Sequence, residues 1–268
     1  MKKPLIILTG PTAVGKTKLS ISLAKAVNGA IISADSMQVY RHMDIGSAKI
    51  RPEEMCGVPH YLIDVLDPSE EFHVVKFVEL AHEAMEKIYA AGQIPIVTGG
   101  TGFYIQALLK EVDFTESHGE LPIRKQLEEK AATEEGAAEL YRELSEVDPA
   151  SAETIHPNNV KRVIRALEYY HETGQKISEH NEEQKQKESP YCSAYFVLND
   201  ERSILYDRID RRVDQMICDG LVDEVFRLKE MGYTRELVSM QGLGYKELFP
   251  YLAGECSLEE AIYIIKRD

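Results

Sequence analysis

Residues 10–17 have the sequence Gly10-Pro11-Thr12-Ala13-Val14-Gly15-Lys16-Thr17, which fits the G-x-x-x-x-G-K-[ST] pattern of a phosphate-binding loop. An apolar run at 5–8, predicted to be a buried strand, precedes the loop, and helical apolar spacing at 19–27 follows it. The glycines let backbone N–H groups converge on phosphate oxygens, and the helix dipole favours an anion there. Lys16 is expected to contact the outer phosphate and the Thr17 hydroxyl to bind Mg²⁺. The sequence therefore predicts a phosphorylated ligand, although any diphosphate or triphosphate fits the loop equally well.

The composition is that of an ordinary globular protein with an excess of acid. The 268 residues are 44% hydrophobic and 28% charged, and the formal net charge is −14. The four cysteines and eight histidines are scattered without a C-x-x-C pair, which indicates reduced thiols in the cytoplasm and disfavours a transition-metal site. No apolar run is long enough for a membrane span or a signal peptide, and no protein partner is evident. The charge disfavours a nucleic-acid partner but permits a local basic groove.

Strands and helices alternate in the first part of the chain. Short strands are predicted at 30–34, 60–65 and 94–98, with a helix at 78–88 before the last of them. The turn Gly99-Gly100-Thr101-Gly102 then opens another helix. This alternation predicts an α/β fold, a P-loop core with a doubly wound parallel sheet, whose ligands bind where the strands end.

The pattern becomes helical throughout from about Phe114 to Tyr191, and a strand at 193–198 then returns to the sheet. We therefore predict a core formed by 1–113 and 191–268, with an all-helical insertion at 114–190. A long helix is predicted at 204–231, interrupted at Gly220.

Ser257 and Glu260 form a capping box that opens a last helix. This helix reaches Asp268 without a cap, so we expect the chain to be cut short there.

Two side chains at predicted strand ends are candidates for chemistry. Asp35 lies near the phosphate loop, where a carboxylate accepts a proton from a nucleophile or helps to hold Mg²⁺; the alternative is a turn cap. Thr101 is placed to donate a hydrogen bond to a transferring group; the alternative is turn chemistry. The strand at 94–98 ends without the acidic residue that an ATPase carries for its metal. Asp64 is an alternative candidate for the metal-binding acid, but its position is more typical of a residue that caps or anchors a loop.

Basic residues cluster twice on predicted helices, at Lys161, Arg162 and Arg165 and at Arg208, Arg211 and Arg212. Such stripes are often only solvated faces, and the acids near the second cluster at 207, 210 and 214 offer partners for it. A third candidate is the glycine-rich stretch Gln241-Gly242-Leu243-Gly244-Tyr245-Lys246, which suits close approach of a ligand to the backbone.

Taken together, these stretches resemble one family, the tRNA dimethylallyltransferases, also called tRNA isopentenyltransferases. The resemblance runs the length of the chain, in order. It rests on the phosphate loop, Ala34-Asp35-Ser36-Met37-Gln38-Val39-Tyr40-Arg41, Gly57-Val58-Pro59-His60-Tyr61-Leu62-Ile63-Asp64, Gly99-Gly100-Thr101-Gly102-Phe103-Tyr104, 162–167 and 242–246. Members of the family usually continue with a basic segment beyond the position of Asp268.

The resemblance implies transfer of a dimethylallyl group from dimethylallyl diphosphate to N6 of the adenosine 3′ to the anticodon of a tRNA. Asp35 would be the general base, and Thr101 would sit where N6 meets the allylic carbon. Residues 10–17, Mg²⁺ on Thr17, Arg208 and Arg212 would hold the diphosphate.

The helical insertion would grip the anticodon stem-loop, and the target base would be flipped into a channel. The residues implied in tRNA binding are Asp35, Ser36, Met37, Gln38, Thr101, Lys161, Arg162, Val163, Ile164, Arg165, Gln241, Gly242, Leu243, Gly244, Tyr245 and Lys246.

Two other classes compete with the transferase. A small-metabolite or nucleoside kinase would place ATP on the loop and use Asp35 to activate a hydroxyl, but it needs a short arginine-bearing lid. The insertion is instead long and mostly acidic up to Ser151. In a non-enzymatic nucleotide-sensing module, Asp35 and Thr101 would have no catalytic role, which disfavours this class. Without the resemblance, kinase and transferase stand near parity.

Overall fold

The computed structural model describes residues 2–112 and 122–267, and it divides into two compact units. The first unit comprises 1–109 and 190–268, and the second comprises 110–189. The sequence pattern places the boundaries at 113/114 and 190/191, and the first of these lies outside the described residues.

A five-stranded parallel sheet with the strand order β3-β2-β4-β1-β5 forms the centre of the first unit. Ile31 and Ile96 pack on one face with Ala24 of the first helix, while Ile32 and Val97 pack on the other face against a second apolar cluster. Helices therefore cover both faces, which confirms the predicted doubly wound α/β core. The elements are β1 (Lys3–Thr9), α1 (Lys16–Val27), β2 (Gly29–Ser33), β3 (His60–Tyr61), α2 (Val74–Ala90), β4 (Ile94–Gly99), α3 (Gly102–Lys110) and β5 (Tyr191–Val197).

The strand predicted at 60–65 is wrong beyond Tyr61. Leu62 and Asp64 have φ angles of 63° and 55°, which an extended strand does not allow. The Asp64 carboxylate accepts a hydrogen bond from Lys49 Nζ at 2.5 Å. The chain therefore turns at this point, and Asp64 anchors a loop.

In its described part, the second unit is built from helices. Apolar side chains of four of them, including Leu127, Leu140 and Leu167, form a separate core. The helices are α4 (Pro122–Lys130), α5 (Glu134–Val147), α6 (Pro149–Thr154), α7 (Val160–Thr173) and α8 (Ile177–Gln186).

The first unit ends in four α-helices, α9 (Arg202–Cys218), α10 (Leu221–Glu230), α11 (Leu248–Leu252) and α12 (Leu258–Arg267), with a short 3-10 helix, Ser239–Gln241, before α11. Gly220, with φ 98°, separates α9 from α10, as predicted. Glu260 N donates to Ser257 Oγ at 3.2 Å and Ser257 N donates to Glu260 Oε2 at 2.9 Å, which confirms the capping box. None of the helices within the described ranges has both the length and the apolar character to cross a membrane.

Candidate active site

The glycine loop joins β1 to α1 in the way that its pattern predicts. Gly10 has φ 151°, and a Cβ at this position would lie 2.5 Å from the Leu198 carbonyl oxygen. Gly15, with φ 96°, directly precedes α1. Lys16 Nζ donates to the carbonyl oxygens of Gly10 and Pro11, both at 2.8 Å. The Lys16 ammonium group therefore lies against the backbone of the loop, where phosphate oxygens are expected to bind.

Three charged groups from different elements converge beside this loop. Burial lowers the pKa of Lys16, Asp35 counteracts this, and Arg212 lowers the pKa further. Burial also lowers the pKa of Arg212, with Asp35 again opposing. No carboxylate pairs directly with Arg212 in the described part of the chain. Two half-buried cations against one anion form a site suited to an anionic ligand.

Asp35 uses its two oxygens differently. Oδ1 accepts hydrogen bonds from Met37 N at 2.8 Å and from Gln38 N at 3.2 Å. Oδ2 accepts none from residues 2–112 or 122–267. The turn cap considered from the sequence is therefore present, and it leaves the second oxygen available to accept a proton.

The turn that carries Thr101 lies against both the loop and the end of β2. A Cβ at Gly99 would lie 2.2 Å from the Ala34 carbonyl oxygen, and one at Gly100 would lie 3.9 Å from the Gly10 carbonyl oxygen. Thr101 directly precedes α3, and its carbonyl oxygen accepts from Tyr104 N at 3.0 Å. The structure thus brings Thr101, Asp35 and the phosphate loop to one edge of the sheet.

The arginines of α9 differ from one another. Arg208 pairs with Asp200 at 2.9 Å, and Arg211 pairs with Asp207 at 2.8 Å. Arg212, in contrast, lies close enough to Lys16 and Asp35 for their charges to interact. We therefore expect Arg212 to contribute more than Arg208 to binding of an anion.

An open cleft of about 940 Å³ lies between α1, the loop at 44–51 and α9. Thr17 and Arg212 both line this cleft. The Thr17 hydroxyl makes no side-chain hydrogen bond within the described residues. A hydroxyl oxygen beside a phosphate loop suits Mg²⁺, which prefers oxygen ligands.

Sequence reasoning missed Lys49, which fixes the wall of this cleft. Its side chain is 4% exposed, and Nζ donates to Asp44 Oδ1 at 2.6 Å, to Asp64 Oδ1 and to the Tyr40 carbonyl oxygen. These partners lie 5, 9 and 15 residues from Lys49 in a loop region, where no regular spacing predicts that they meet.

The basic helix α7 has an exposed side and a buried side. Lys161 and Arg162 are exposed, whereas Val163 and Ile164 are 2% and 6% exposed and lie in the core of the second unit. The implied RNA contact does not hold for these two side chains, because the helix turns them away from solvent. Arg165 Nη1 donates to the fully buried Glu168 at 2.9 Å. Arg165 therefore neutralises a buried acid, whatever else it contacts.

The glycine-rich stretch at 241–246 also divides into exposed and buried residues. Gln241, Leu243 and Lys246 are exposed. Tyr245 is fully buried, and its hydroxyl donates to Glu224 at 2.7 Å. An RNA contact by the Tyr245 side chain is therefore wrong, because this ring belongs to the core.

The stretch at 241–246 packs against the turn that follows Asp35. A Cβ at Gly242 would lie 2.3 Å from Met37 Cε. Two segments that the sequence implicates in RNA binding, at 35–38 and at 241–246, are therefore neighbours. Lys161 and Arg162 belong to the other unit.

The chain is similar to known proteins over most of its length. The model of the IPP transferase family matches residues 38–268. A tRNA dimethylallyltransferase of Lachnoclostridium phytofermentans is 66% identical over 266 residues, which are 99% of this chain and 85% of that protein. One from Acetivibrio thermocellus is 50% identical over 264 residues, 98% of this chain and 84% of that protein.

Two solved structures are similar over nearly the whole chain. The tRNA isopentenylpyrophosphate transferase of Bacillus halodurans has a TM-score of 0.72 and 46% identity, and the match covers 100% of this chain and 82% of that one. A eukaryotic dimethylallyltransferase acting on tRNA has a TM-score of 0.85 and 36% identity, with 99% of this chain and 66% of that one covered.

Proposed function

Because this chain belongs to the family of the tRNA dimethylallyltransferases, we propose that it transfers the dimethylallyl group of dimethylallyl diphosphate to a tRNA. The acceptor is N6 of the adenosine on the 3′ side of the anticodon, and the product is N6-isopentenyladenosine. The observation that supports this proposal most directly is the convergence of Lys16, Arg212 and the free oxygen of Asp35 beside the phosphate loop.

The leaving group is pyrophosphate. The bond between C1 of the dimethylallyl group and the bridging oxygen breaks, and its electron pair stays on the pyrophosphate. Lys16 and Arg212 offset the negative charge that develops there. Since Arg212 pairs directly with no carboxylate within the described residues, its guanidinium is available to the pyrophosphate. Arg208 acts more weakly, because Asp200 already pairs with it.

Asp35 acts on the nucleophile. The N6 lone pair attacks C1, and the N6 proton goes to Asp35 Oδ2 as the new C–N bond forms. An exocyclic amine is a poor nucleophile, so a base that removes this proton accelerates transfer. Thr101, at the adjoining turn, offers a hydroxyl to the reacting groups.

A divalent cation, which we infer to be Mg²⁺, supplies further charge neutralisation to the pyrophosphate when bound. The Thr17 hydroxyl and the oxygens of the diphosphate form a suitable set of hard ligands. The end of β4 carries no acidic side chain of the kind that holds a metal for phosphoryl transfer. Thr17 would hold the ion here, and the ion would supply only charge neutralisation for the leaving pyrophosphate.

We expect exposed basic and polar residues to hold the RNA, although the chain as a whole is acidic. Lys161 and Arg162 on α7 contact the phosphates of the anticodon stem-loop, and Gln241 and Lys246 contact RNA beside Asp35. All four cysteines are free thiols, as expected for the cytoplasm, where we infer that the protein acts.

Calorimetric titration separates the transferase from a kinase. We expect dimethylallyl diphosphate and pyrophosphate to bind in the presence of Mg²⁺, and Lys16→Ala to abolish both. ATP hydrolysis should be negligible. Robust Mg²⁺-dependent turnover of ATP, lost in Lys16→Ala, would favour the kinase instead.

A further inference from the structure

A buried glutamate on α10 joins two parts of the candidate active site. Glu224 is 2% exposed. Its Oε2 accepts hydrogen bonds from Asp44 N at 2.9 Å and Ile45 N at 2.8 Å. Its Oε1 accepts from Gly46 N at 3.1 Å and from the Tyr245 hydroxyl at 2.7 Å. A buried carboxylate is costly unless its lone pairs are satisfied, and both oxygens here accept two hydrogen bonds.

The first segment that Glu224 holds continues from the turn of Asp35. The side-chain amide of Gln38 reaches the carbonyl oxygens of Ser47 and Ala48 at 3.4 and 3.5 Å. Asp35 Oδ1 in turn accepts from Gln38 N. Residues 44–46, which directly precede Ser47, are therefore connected through Gln38 to Asp35, the proposed base.

The second segment is the glycine-rich stretch at 241–246. Tyr245 donates to Glu224, and its ring lies 2.5 Å from where a Cβ on Gly46 would stand. On the far side, Met37 packs against Gly242. Burial, and after it the charge of Glu224, raises the pKa of Tyr245, so its hydroxyl remains a donor. The contacts form a closed ring in which Glu224 is the shared acceptor.

We propose that Glu224 is a positioning residue for transfer: it fixes the turn that carries Asp35 relative to the glycine-rich stretch at 241–246. This inference rests on the proposed function. Glu224 itself touches neither substrate, because its carboxylate is enclosed by the protein. Its effect comes through the placement of Asp35 against the adenosine and of residues 241–246 against the RNA.

Glu224→Gln tests the inference with little change in volume. The amide nitrogen cannot accept a hydrogen bond. The two groups that donate to the replaced oxygen, either Asp44 N and Ile45 N or Gly46 N and the Tyr245 hydroxyl, therefore lose their acceptor. We expect the single-turnover rate at saturating substrates to fall by about 10- to 100-fold, since a misplacement of about 1 Å can have an effect of this size. Affinity for tRNA should fall without a change in its salt slope, because no phosphate contact is removed. Affinity for the diphosphate should change by less than about threefold, because Lys16 and Arg212 share no partner with Glu224.

A buried aspartate in the second unit provides a matched control. Asp148 is 1% exposed and also accepts four hydrogen bonds, from the backbone and hydroxyl groups of Ser151 and Ser178. Asp148→Asn should lower the melting temperature and leave the single-turnover rate at saturating tRNA near that of the wild type. Tyr245→Phe should slow transfer less than Glu224→Gln, and the two changes together should cost less than the product of their separate effects.

A Glu224→Gln variant with the wild-type rate and tRNA affinity would overturn the inference. So would a loss of rate in Glu224→Gln that equals the loss in an Asp148→Asn variant with the same melting temperature. If Glu224→Gln does not fold, Tyr245→Phe carries the test, and an unchanged rate in that variant overturns the inference. Absence of transfer by the wild-type protein would instead overturn the proposed function, and the inference with it.

Discussion

Replacement of Asp35 by Asn isolates the role of a single oxygen atom. The Asn carbonyl oxygen can still accept from Met37 N and Gln38 N, so the turn that Asp35 Oδ1 caps is kept. The amide group takes the place of Oδ2, which has no partner among the described residues, and it cannot accept a proton. The change therefore removes the base while keeping the fold of the loop.

The expected loss of rate is the contribution of a general base. General-base catalysis contributes about 10²- to 10⁴-fold, which corresponds to roughly 3–5 kcal/mol of barrier. Loss of the Asp35 charge leaves Lys16 and Arg212 with less opposing negative charge, so diphosphate affinity should not fall. A metal-binding role for Asp35 predicts the opposite, because Mg²⁺ and diphosphate affinity would then fall together with the rate.

Single-turnover transfer, measured beside calorimetric titration of diphosphate and tRNA, distinguishes these roles. Asp64→Asn is a matched control, since it changes an exposed carboxylate that anchors a loop to Lys49. The control should keep its rate within a few-fold of wild type. Near-normal single-turnover chemistry in Asp35→Asn would refute the assignment of Asp35 as the base.

Three further outcomes are expected. Arg212→Ala should weaken diphosphate binding by about 10-fold or more, as expected for a charged hydrogen bond, and Arg208→Ala should weaken it less; titration that ranks them the other way would reassign the contact. Arg162→Ala should weaken tRNA binding and lower the salt slope by about one, with diphosphate binding unchanged; an unaltered slope would make this face merely solvated. Gly46→Ala should lower the free energy of unfolding by about 1–3 kcal/mol, because its Cβ would meet the Tyr245 ring; a stability equal to wild type in denaturant titration would contradict this.

Local signals made much of the fold predictable. The glycine loop between a strand and a helix, the break at Gly220 and the capping box at Ser257 all depend on residues close together in sequence. The doubly wound sheet followed from the alternation of strands and helices. In these cases nearby residues determine the backbone conformation, so the sequence pattern alone was sufficient to predict the structure.

Long-range contacts explain what the sequence did not reveal. The third strand stops at Tyr61 in a loop where Lys49 pairs with Asp64. The burial of Tyr245 depends on Glu224 and Gly46, which come from distant segments. One signal was available, since Glu224 occupies the apolar face of α10 that also contains Leu221, Val225 and Leu228. An acid among such positions indicates a buried partner, although it does not identify which one.

The proposed transfer is tested by chemical analysis of its product. The wild-type protein is incubated with unmodified tRNA, dimethylallyl diphosphate and Mg²⁺, and the tRNA is digested to nucleosides for mass spectrometry. We expect N6-isopentenyladenosine on the 3′ side of the anticodon, formed only when both substrates are present and lost in Lys16→Ala. A digest without isopentenyladenosine, from protein shown to be folded and to bind the diphosphate, would contradict it.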